Sequence, residues 1–203
     1  MGQVVNCPDA PDEADPQRVR DAVNGMCSPH ITALSCEPVP ADWHARFSAK
    51  SRLYVYALFE SEVPDPFIAR TTLRLPGRLD LDAMNEAAGH LLGERDFSSF
   101  GRVAKPDGSP VRTLFELRVV RQGRLVRIRA RANAFIQQMV RSLVGTLIEV
   151  GEGRRSPGEM RSILEARDRS AAGTVAPPHG LCLVAVEYDE GWSRPVEVGD
   201  ASG

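Results

Sequence analysis

The segment Arg131–Gly151, RANAFIQQMVRSLVGTLIEVG, decides how the rest of the chain is interpreted. Apolar pairs recur every four residues along it, at Phe135/Ile136, Met139/Val140, Leu143/Val144 and Leu147/Ile148. This spacing predicts a helix with a wide apolar face and an opposite polar face. Arg141 is a charged residue within the apolar pattern. The pattern alone leaves open whether Arg141 extends into solvent or a rigid helix carries it to a site.

A basic strand leads directly into this predicted helix. It alternates apolar residues with Arg127, Arg129 and Arg131, and it follows another strand through a hairpin near Gln122-Gly123. Residues 101–145 contain ten basic and only two acidic side chains. Such a local excess suits a polyanion such as nucleic acid, and a solvated sheet face is an equally good explanation. We therefore name these three arginines as candidate RNA-binding residues.

The amino-terminal part of the chain is predicted to contain three strands and one helix. The strands are expected at Gly2–Cys7, His30–Val39 and Arg52–Glu60, and Asp15-Pro16 is expected to begin the helix. Prolines in residues 61–76 indicate a linker. We therefore expect an amino-terminal α+β subdomain at residues 1–60, a linker at 61–78, a second α+β subdomain at 79–189 and a disordered tail at 190–203.

The second half is predicted to add two more helices and an interior strand. One helix begins at Asp80 and ends at Gly93, and a loop with Phe97 and Phe100 follows; these rings fit a core edge better than base stacking. A capping box, Ser156-Pro157-Gly158-Glu159, begins a helix that runs to about Arg167. A strand at Gly180–Tyr188 is apolar on both faces. The overall expectation is an α+β fold, a mainly antiparallel sheet with helices on one face.

Composition narrows the class of protein. The chain has 203 residues, 42% of them hydrophobic, and a net charge of −2. Its four cysteines form no C-x-x-C pair and do not cluster with histidines, so neither a metal site nor a disulfide framework is expected. No apolar run is long enough to cross a membrane, and no signal peptide opens the sequence. The cytoplasm is the default location.

Several long motifs, in order, resemble the tRNA pseudouridine synthase A family. The matching segments are Trp43-His44-Ala45-Arg46-Phe47-Ser48-Ala49 with Arg52-x-Tyr54-x-Tyr56, then Leu91 to Phe100, then Ala132-Asn133-Ala134-Phe135 to Gly145, and Gly180 to Tyr188. The resemblance implies isomerisation of uridine to pseudouridine at tRNA positions 38, 39 and 40, without metal or cofactor, by a homodimer. It also implies that an aspartate attacks the nucleoside, that Tyr54 packs on the target base, and that Arg141 pairs with the aspartate and keeps it charged.

One departure from the family pattern concerns the nucleophile. In the family the aspartate lies in a Gly-Arg-Thr-Asp-Ala-Gly-Val-His-like segment directly before Gly-Gln-Val-Val, whereas this sequence reads Met1-Gly2-Gln3-Val4-Val5. We therefore expect the amino-terminal subdomain to be incomplete and the chain as written to be inactive. A non-catalytic tRNA-binding remnant and a poorly folded fragment are the two alternatives.

Overall fold

The computed structural model describes residues 3–7, 13–104 and 107–189. The chain divides into two compact units, Val4–Ser48 and a larger one that contains the described residues from Ala49 onward. The predicted boundary lay at residues 61–78 instead. The difference arises because the strand at residues 51–60 pairs with three strands of the larger unit, which ties it to that unit. The predicted tail at 190–203 lies outside the described residues.

The smaller unit contains helix α1, Pro16–Cys27, and no strand among its described residues. The Asp15 side chain accepts a hydrogen bond from the N–H of Gln17, so the predicted helix start is confirmed. The strands expected at Gly2–Cys7, as far as that range is described, and at His30–Val39 are wrong. Asn24 instead binds the backbone of Ala33 in both directions, at 3.1 and 2.7 Å. These two hydrogen bonds tether residues 30–39 to α1, and among the described residues neither segment has the ladder partner that a strand requires.

The larger unit is built on a six-stranded sheet. Its strands are β1 Ser51–Glu60, β2 Leu73–Leu75, β3 Gly93–Asp96, β4 Val111–Gln122, β5 Leu125–Ala132 and β6 Leu181–Glu187. The order is β2-β1-β5-β4-β3, with β6 also paired to β1. Only the β1–β2 pair is parallel, so the predicted α+β class with a mainly antiparallel sheet is confirmed. The expected interior position of the last strand is wrong, because β6 pairs with β1 alone within the described residues.

Three helices join one face of this sheet in a single core. They are α2 Leu81–Gly89, α3 Met139–Gly151 and α4 Glu159–Ala166, and their buried side chains meet Val126, Ile128, Ala130 and Ala132 of β5. The alternation of β5 is thus confirmed, with its apolar residues in the core and its arginines on the other face. None of the helices in the described ranges is long and apolar enough to cross a membrane.

Two predicted helix boundaries need correction. Helix α2 ends at Gly89, and Gly93 opens β3 with a φ of +87°, because residues 93–96 pair with β4. The predicted loop is therefore partly a strand, but Phe97 and Phe100 are both fully buried, as expected for a core edge. Helix α3 begins at Met139 rather than near Phe135. In α4, the Glu159 carboxylate accepts the N–H of Ser156 as the capping box predicts, although the helix itself begins at Glu159.

Helix α3 is buried almost completely, which contradicts the predicted polar face. Every one of its residues except Arg141 is buried, including Thr146 and Glu149. The reason is that a backbone segment, described below, covers the side of the helix that bears these polar groups. Their polarity serves hydrogen bonds inside the protein and does not mark a surface exposed to water.

Candidate active site

Arg141 lies in the first turn of α3 and is held by a neighbouring backbone segment. Its Nε donates a hydrogen bond to the carbonyl of Ala176 at 2.6 Å, and the N–H of Ala176 donates to the carbonyl of Arg141 at 3.1 Å. The guanidinium is half-buried. Within the described ranges no carboxylate lies within 4.0 Å of it, and Ala176 is its only hydrogen-bond partner. Arg141 is therefore fixed in place while most of its donors stay free for a ligand.

We call the segment Gly173–Pro177, which runs along α3, the strap. The N–H of Gly173 donates to Thr146 Oγ1 at 3.0 Å, and the N–H of Thr174 donates to Glu149 Oε1 at 3.0 Å. The strap approaches the helix so closely that a Cβ on Gly145 would lie 1.7 Å from the Thr174 carbonyl oxygen. Only glycine permits this approach at position 145.

Glu149 is the charged anchor of the strap. Besides Thr174, its carboxylate accepts a hydrogen bond from Arg155 Nε at 2.5 Å, and Arg154 lies at 3.6 Å. Burial raises the pKa of Glu149, but the hydrogen bonds from Thr174 and Arg155 and the charges of Arg155 and Arg154 outweigh it and hold the pKa below its ordinary value. Glu149 is thus ionised at neutral pH, and its charge is fully partnered.

Tyr54 and Tyr56 extend from β1 toward the same side of the sheet as Arg141. The Tyr54 ring is half-buried and meets Phe135 edge to face, with ring centroids 5.3 Å apart. Burial raises the pKa of Tyr54, and the charge of Arg52 lowers it in part. Tyr56 is fully buried, and its hydroxyl donates to the carbonyl of Pro177 at 2.7 Å.

Tyr56 lies close enough to Arg141 for the two to interact electrostatically. Burial raises the pKa of Tyr56 to about 12, and the positive charge of Arg141 opposes this rise. Arg141 is thus linked through the strap to Tyr56, which lies two residues from Tyr54 on the same face of β1. Sequence reasoning did not select Tyr56, Thr146, Glu149 or Ala176. The available signals for Tyr56 were its place in the motif Arg52-x-Tyr54-x-Tyr56 and its alternation with Tyr54 on the same strand face.

The three candidate RNA-binding arginines lie on the opposite face of the sheet. Arg129 forms an ion pair with Glu116 at 2.7 Å, and Arg131 pairs with Glu187 at 3.4 Å. Arg127 donates to Gln122 at 2.6 Å. The structure therefore does not bring these arginines to the Tyr54–Arg141 site, and carboxylates compensate two of the three charges. Exposed pairs of this kind contribute about 0–1 kcal/mol and can exchange for other anions.

Comparison with known proteins gives one consistent result. The family model described as tRNA pseudouridine synthase matches residues 87–189. The tRNA pseudouridine synthase A of Rhodopseudomonas palustris (strain BisA53) is 44% identical over 190 residues, which are 93% of this chain and 77% of that protein. The Sinorhizobium fredii (strain NBRC 101917 / NGR234) protein of the same name is 40% identical over 191 residues, with the same two shares. The one from Mesorhizobium japonicum (strain LMG 29417 / CECT 9101 / MAFF 303099) is 44% identical over 174 residues, covering 84% and 70%.

Proposed function

This chain belongs to the tRNA pseudouridine synthase A family, and we therefore propose that it isomerises uridine to pseudouridine in the anticodon arm of tRNA, at positions 38 to 40. In this reaction the C1′–N1 bond of the nucleoside breaks and a C1′–C5 bond forms. The proton on C5 is released, and N1 gains a proton, so the product is an isomer of the substrate. No redox step is involved.

The environment of Arg141 is the observation that carries the proposal. A guanidinium fixed through Nε, with no carboxylate partner in the described ranges, is ready to pair with an aspartate brought against it. Such a pair lowers a carboxyl pKa by roughly 1–3 units. The aspartate then stays ionised, as a nucleophile must. We expect this carboxylate to come from outside the described residues.

Tyr54 supplies the second part of the proposed site. Phe135 meets its ring edge to face, which fixes the ring plane, and the ring remains only half-buried. A uridine turned out of the RNA stack needs a flat apolar surface to replace its stacking partners. The half-buried ring of Tyr54 is such a surface, on the same side of the sheet as Arg141.

The test compares the 203-residue chain with a fusion that places a segment with the family aspartate motif before residue 1. Tritium release from tRNA labelled at uridine C5 measures turnover. We expect the chain alone to bind tRNA without turnover, and the fusion to release tritium. The matched control replaces the aspartate of the fusion with asparagine and should be inactive. Turnover by the chain alone would place the carboxylate within the 203 residues and would still support the synthase function, whereas a folded, tRNA-binding fusion without turnover would refute the proposed function.

A non-catalytic tRNA-binding role is the second candidate. The observation in its favour is again that no carboxylate of the described residues pairs with Arg141. It predicts affinity for tRNA that falls steeply as salt rises, because cations released from the phosphates drive binding. A fusion that binds tRNA equally well but never forms pseudouridine would favour this role.

We also propose that the arginine face contributes to tRNA binding, because Arg127 has an uncharged partner and the two ion pairs are partly exposed. If Arg127 contacts a phosphate, Arg127→Gln should lower the slope of log K against log salt by about one. Arg161→Gln is the matched control, since Arg161 is exposed on α4 and pairs with Glu165. Equal slopes for the two variants would indicate a merely solvated face at Arg127.

A homodimer in the cytoplasm completes the proposal. Membership of the tRNA pseudouridine synthase A family supports the homodimer, and a tRNA substrate supports the cytoplasmic location. Sedimentation equilibrium of the purified chain tests the assembly. A single species with the mass of 22.2 kDa at all concentrations would contradict a dimer.

A further inference from the structure

Tyr56 and Arg141 are joined by two consecutive carbonyl groups of the strap. Arg141 Nε binds the oxygen of Ala176 at 2.6 Å, and the Tyr56 hydroxyl binds the oxygen of Pro177 at 2.7 Å. The two side chains come from different elements, α3 and β1. Only the φ and ψ rotations of Pro177 separate the two carbonyls, and the proline ring fixes φ, so a displacement of one carbonyl is transmitted to the next.

The Tyr56 hydroxyl is the anchor for this end of the strap. Pro177 and Pro178 have no backbone N–H, so neither can hold the segment with a donor of its own. The N–H of Ala176 is already used by the carbonyl of Arg141. The carbonyl of Pro177 is therefore the one backbone hydrogen-bonding group of that residue, and Tyr56 binds it.

The other end of the strap is held independently. Thr146 and Glu149 accept the N–H groups of Gly173 and Thr174, and the missing side chain of Gly145 lets the backbone touch the helix. Loss of the Tyr56 bond therefore affects the Ala176–Pro177 end, which the Ala176 N–H bond to the Arg141 carbonyl also holds. That end carries the carbonyl that orients the Arg141 guanidinium.

The ring of Tyr56 contributes a separate contact that a substitution can preserve. A Cβ on Gly180 would lie 2.6 Å from the ring and 2.9 Å from the carbonyl oxygen of Ala57, so the chain after the strap lies directly on the tyrosine. Phenylalanine at position 56 would keep this packing. Tyr56→Phe therefore removes the hydroxyl bond to Pro177 and little else.

We propose that Tyr56 is a positioning residue, which holds the Arg141 guanidinium in its site through the Pro177 and Ala176 carbonyls of the strap. Its catalytic meaning rests on the proposed synthase function, whereas the positioning itself is a property of the folded chain. Without the hydroxyl bond the strap end moves, Arg141 Nε loses its fixed acceptor, and the guanidinium samples other rotamers.

The test follows the Arg141 Nε–H by NMR in protein labelled with ¹⁵N-arginine, with Arg141→Lys to assign the signal. In the parent chain we expect the signal assigned to the Arg141 Nε–H to be protected from solvent exchange. In Tyr56→Phe we expect solvent exchange to be about two- to tenfold faster, the range that loss of one net hydrogen bond gives. Tyr188→Phe is the matched control, since Tyr188 is also buried but takes part in none of the strap hydrogen bonds described above. It should leave the Arg141 signal unchanged.

Two results would overturn the proposal. One is an unchanged Arg141 signal in a folded Tyr56→Phe protein, and the other is an equal change in Tyr188→Phe. If Tyr56→Phe does not fold, 3-fluorotyrosine placed at position 56 alone replaces it. Its more acidic hydroxyl is a stronger donor and should slow the exchange at Arg141, and no slowing would refute the link. The signals are recorded without RNA, so failure of the tritium assay would contradict the synthase function and leave this result standing.

Discussion

Replacing Gly145 with alanine tests the tight contact between α3 and the strap. The added Cβ would lie 1.7 Å from the oxygen of Thr174 and 2.9 Å from its carbonyl carbon. Carbon and oxygen atoms that are not bonded need more than 3 Å, so one backbone must move by well over an ångström. Both partners are backbone atoms, and a change of side-chain rotamer cannot relieve the clash.

The expected cost follows from the bonds that such a movement breaks. The bond from Gly173 to Thr146 and the bond from the Ala176 N–H to the Arg141 carbonyl are worth about 0.5–1.5 kcal/mol each, and the bond from Thr174 to the charged Glu149 about 1.5–3 kcal/mol. Alanine inside a helix regains roughly 1 kcal/mol over glycine. If the movement breaks the Thr174 bond and one other, Gly145→Ala should lower the free energy of unfolding by about 1–3.5 kcal/mol.

Gly89→Ala is the matched control for this prediction. Gly89 is the last residue of α2, it is exposed, and a Cβ there meets no atom of the described chain within 4 Å. The same substitution should therefore raise the free energy of unfolding, by about 0.4–1 kcal/mol, because alanine restricts the unfolded chain. Urea denaturation followed by far-ultraviolet circular dichroism measures both variants. A Gly145→Ala protein as stable as the parent chain, or a loss of equal size at Gly89, would refute the reasoning.

Three further predictions concern Arg141 and the groups that hold the strap. In a fusion that supplies the catalytic aspartate, Arg141→Ala should abolish tritium release and leave tRNA affinity in a filter-binding assay largely intact. Equal loss of turnover and affinity would assign Arg141 to binding or folding. The folded protein lowers the pKa of Glu149 from 4.5, so the ionised carboxylate stabilises the fold above pH 4.5 and this stabilisation is lost as the pH falls. The urea midpoint of Glu149→Gln should therefore change less on acidification than that of the parent chain. Burial raises the pKa of Tyr56 from 10.0 to about 12, so the neutral hydroxyl stabilises the fold below pH 10 and this stabilisation is lost as the pH rises toward 12. The urea midpoint of Tyr56→Phe should therefore fall less steeply than that of the parent chain across this range. An equal fall in the two proteins would contradict the raised pKa.

The sequence pattern correctly predicted strands that pair with a neighbouring strand and helices that bury an apolar face. The alternation of β5 was correct because its two faces meet different surroundings, the core on one side and a charged face on the other. The strand predicted at residues 30–39 is absent from the structure. The sequence of a short segment does not show whether a partner strand exists. Without a partner the segment cannot form the hydrogen-bond ladder of a sheet.

The strap could not be predicted because it has no periodicity. Its bonds join backbone N–H groups to side chains more than twenty residues earlier in the sequence, such as Thr174 to Glu149. In the sequence, Thr146 and Glu149 simply interrupt an apolar pattern and look like an exposed helix face. Only the fold shows that another part of the chain covers them and that their polarity satisfies its donors.

Of the two interpretations of Arg141 that the sequence left open, the structure favours a side chain held in a fixed position. An arginine extending into solvent would not need an acceptor at Nε, but here that nitrogen is bound to the Ala176 carbonyl, and Tyr56 binds the next carbonyl of the strap. A guanidinium has five N–H donors in one plane, so fixing Nε fixes the direction of the four donors on the two outer nitrogens. These can meet a carboxylate with two parallel hydrogen bonds, which is the strongest geometry for such a pair. The orientation that would keep a catalytic aspartate ionised is therefore a joint property of Arg141, the strap and Tyr56, and Arg141 alone does not provide it.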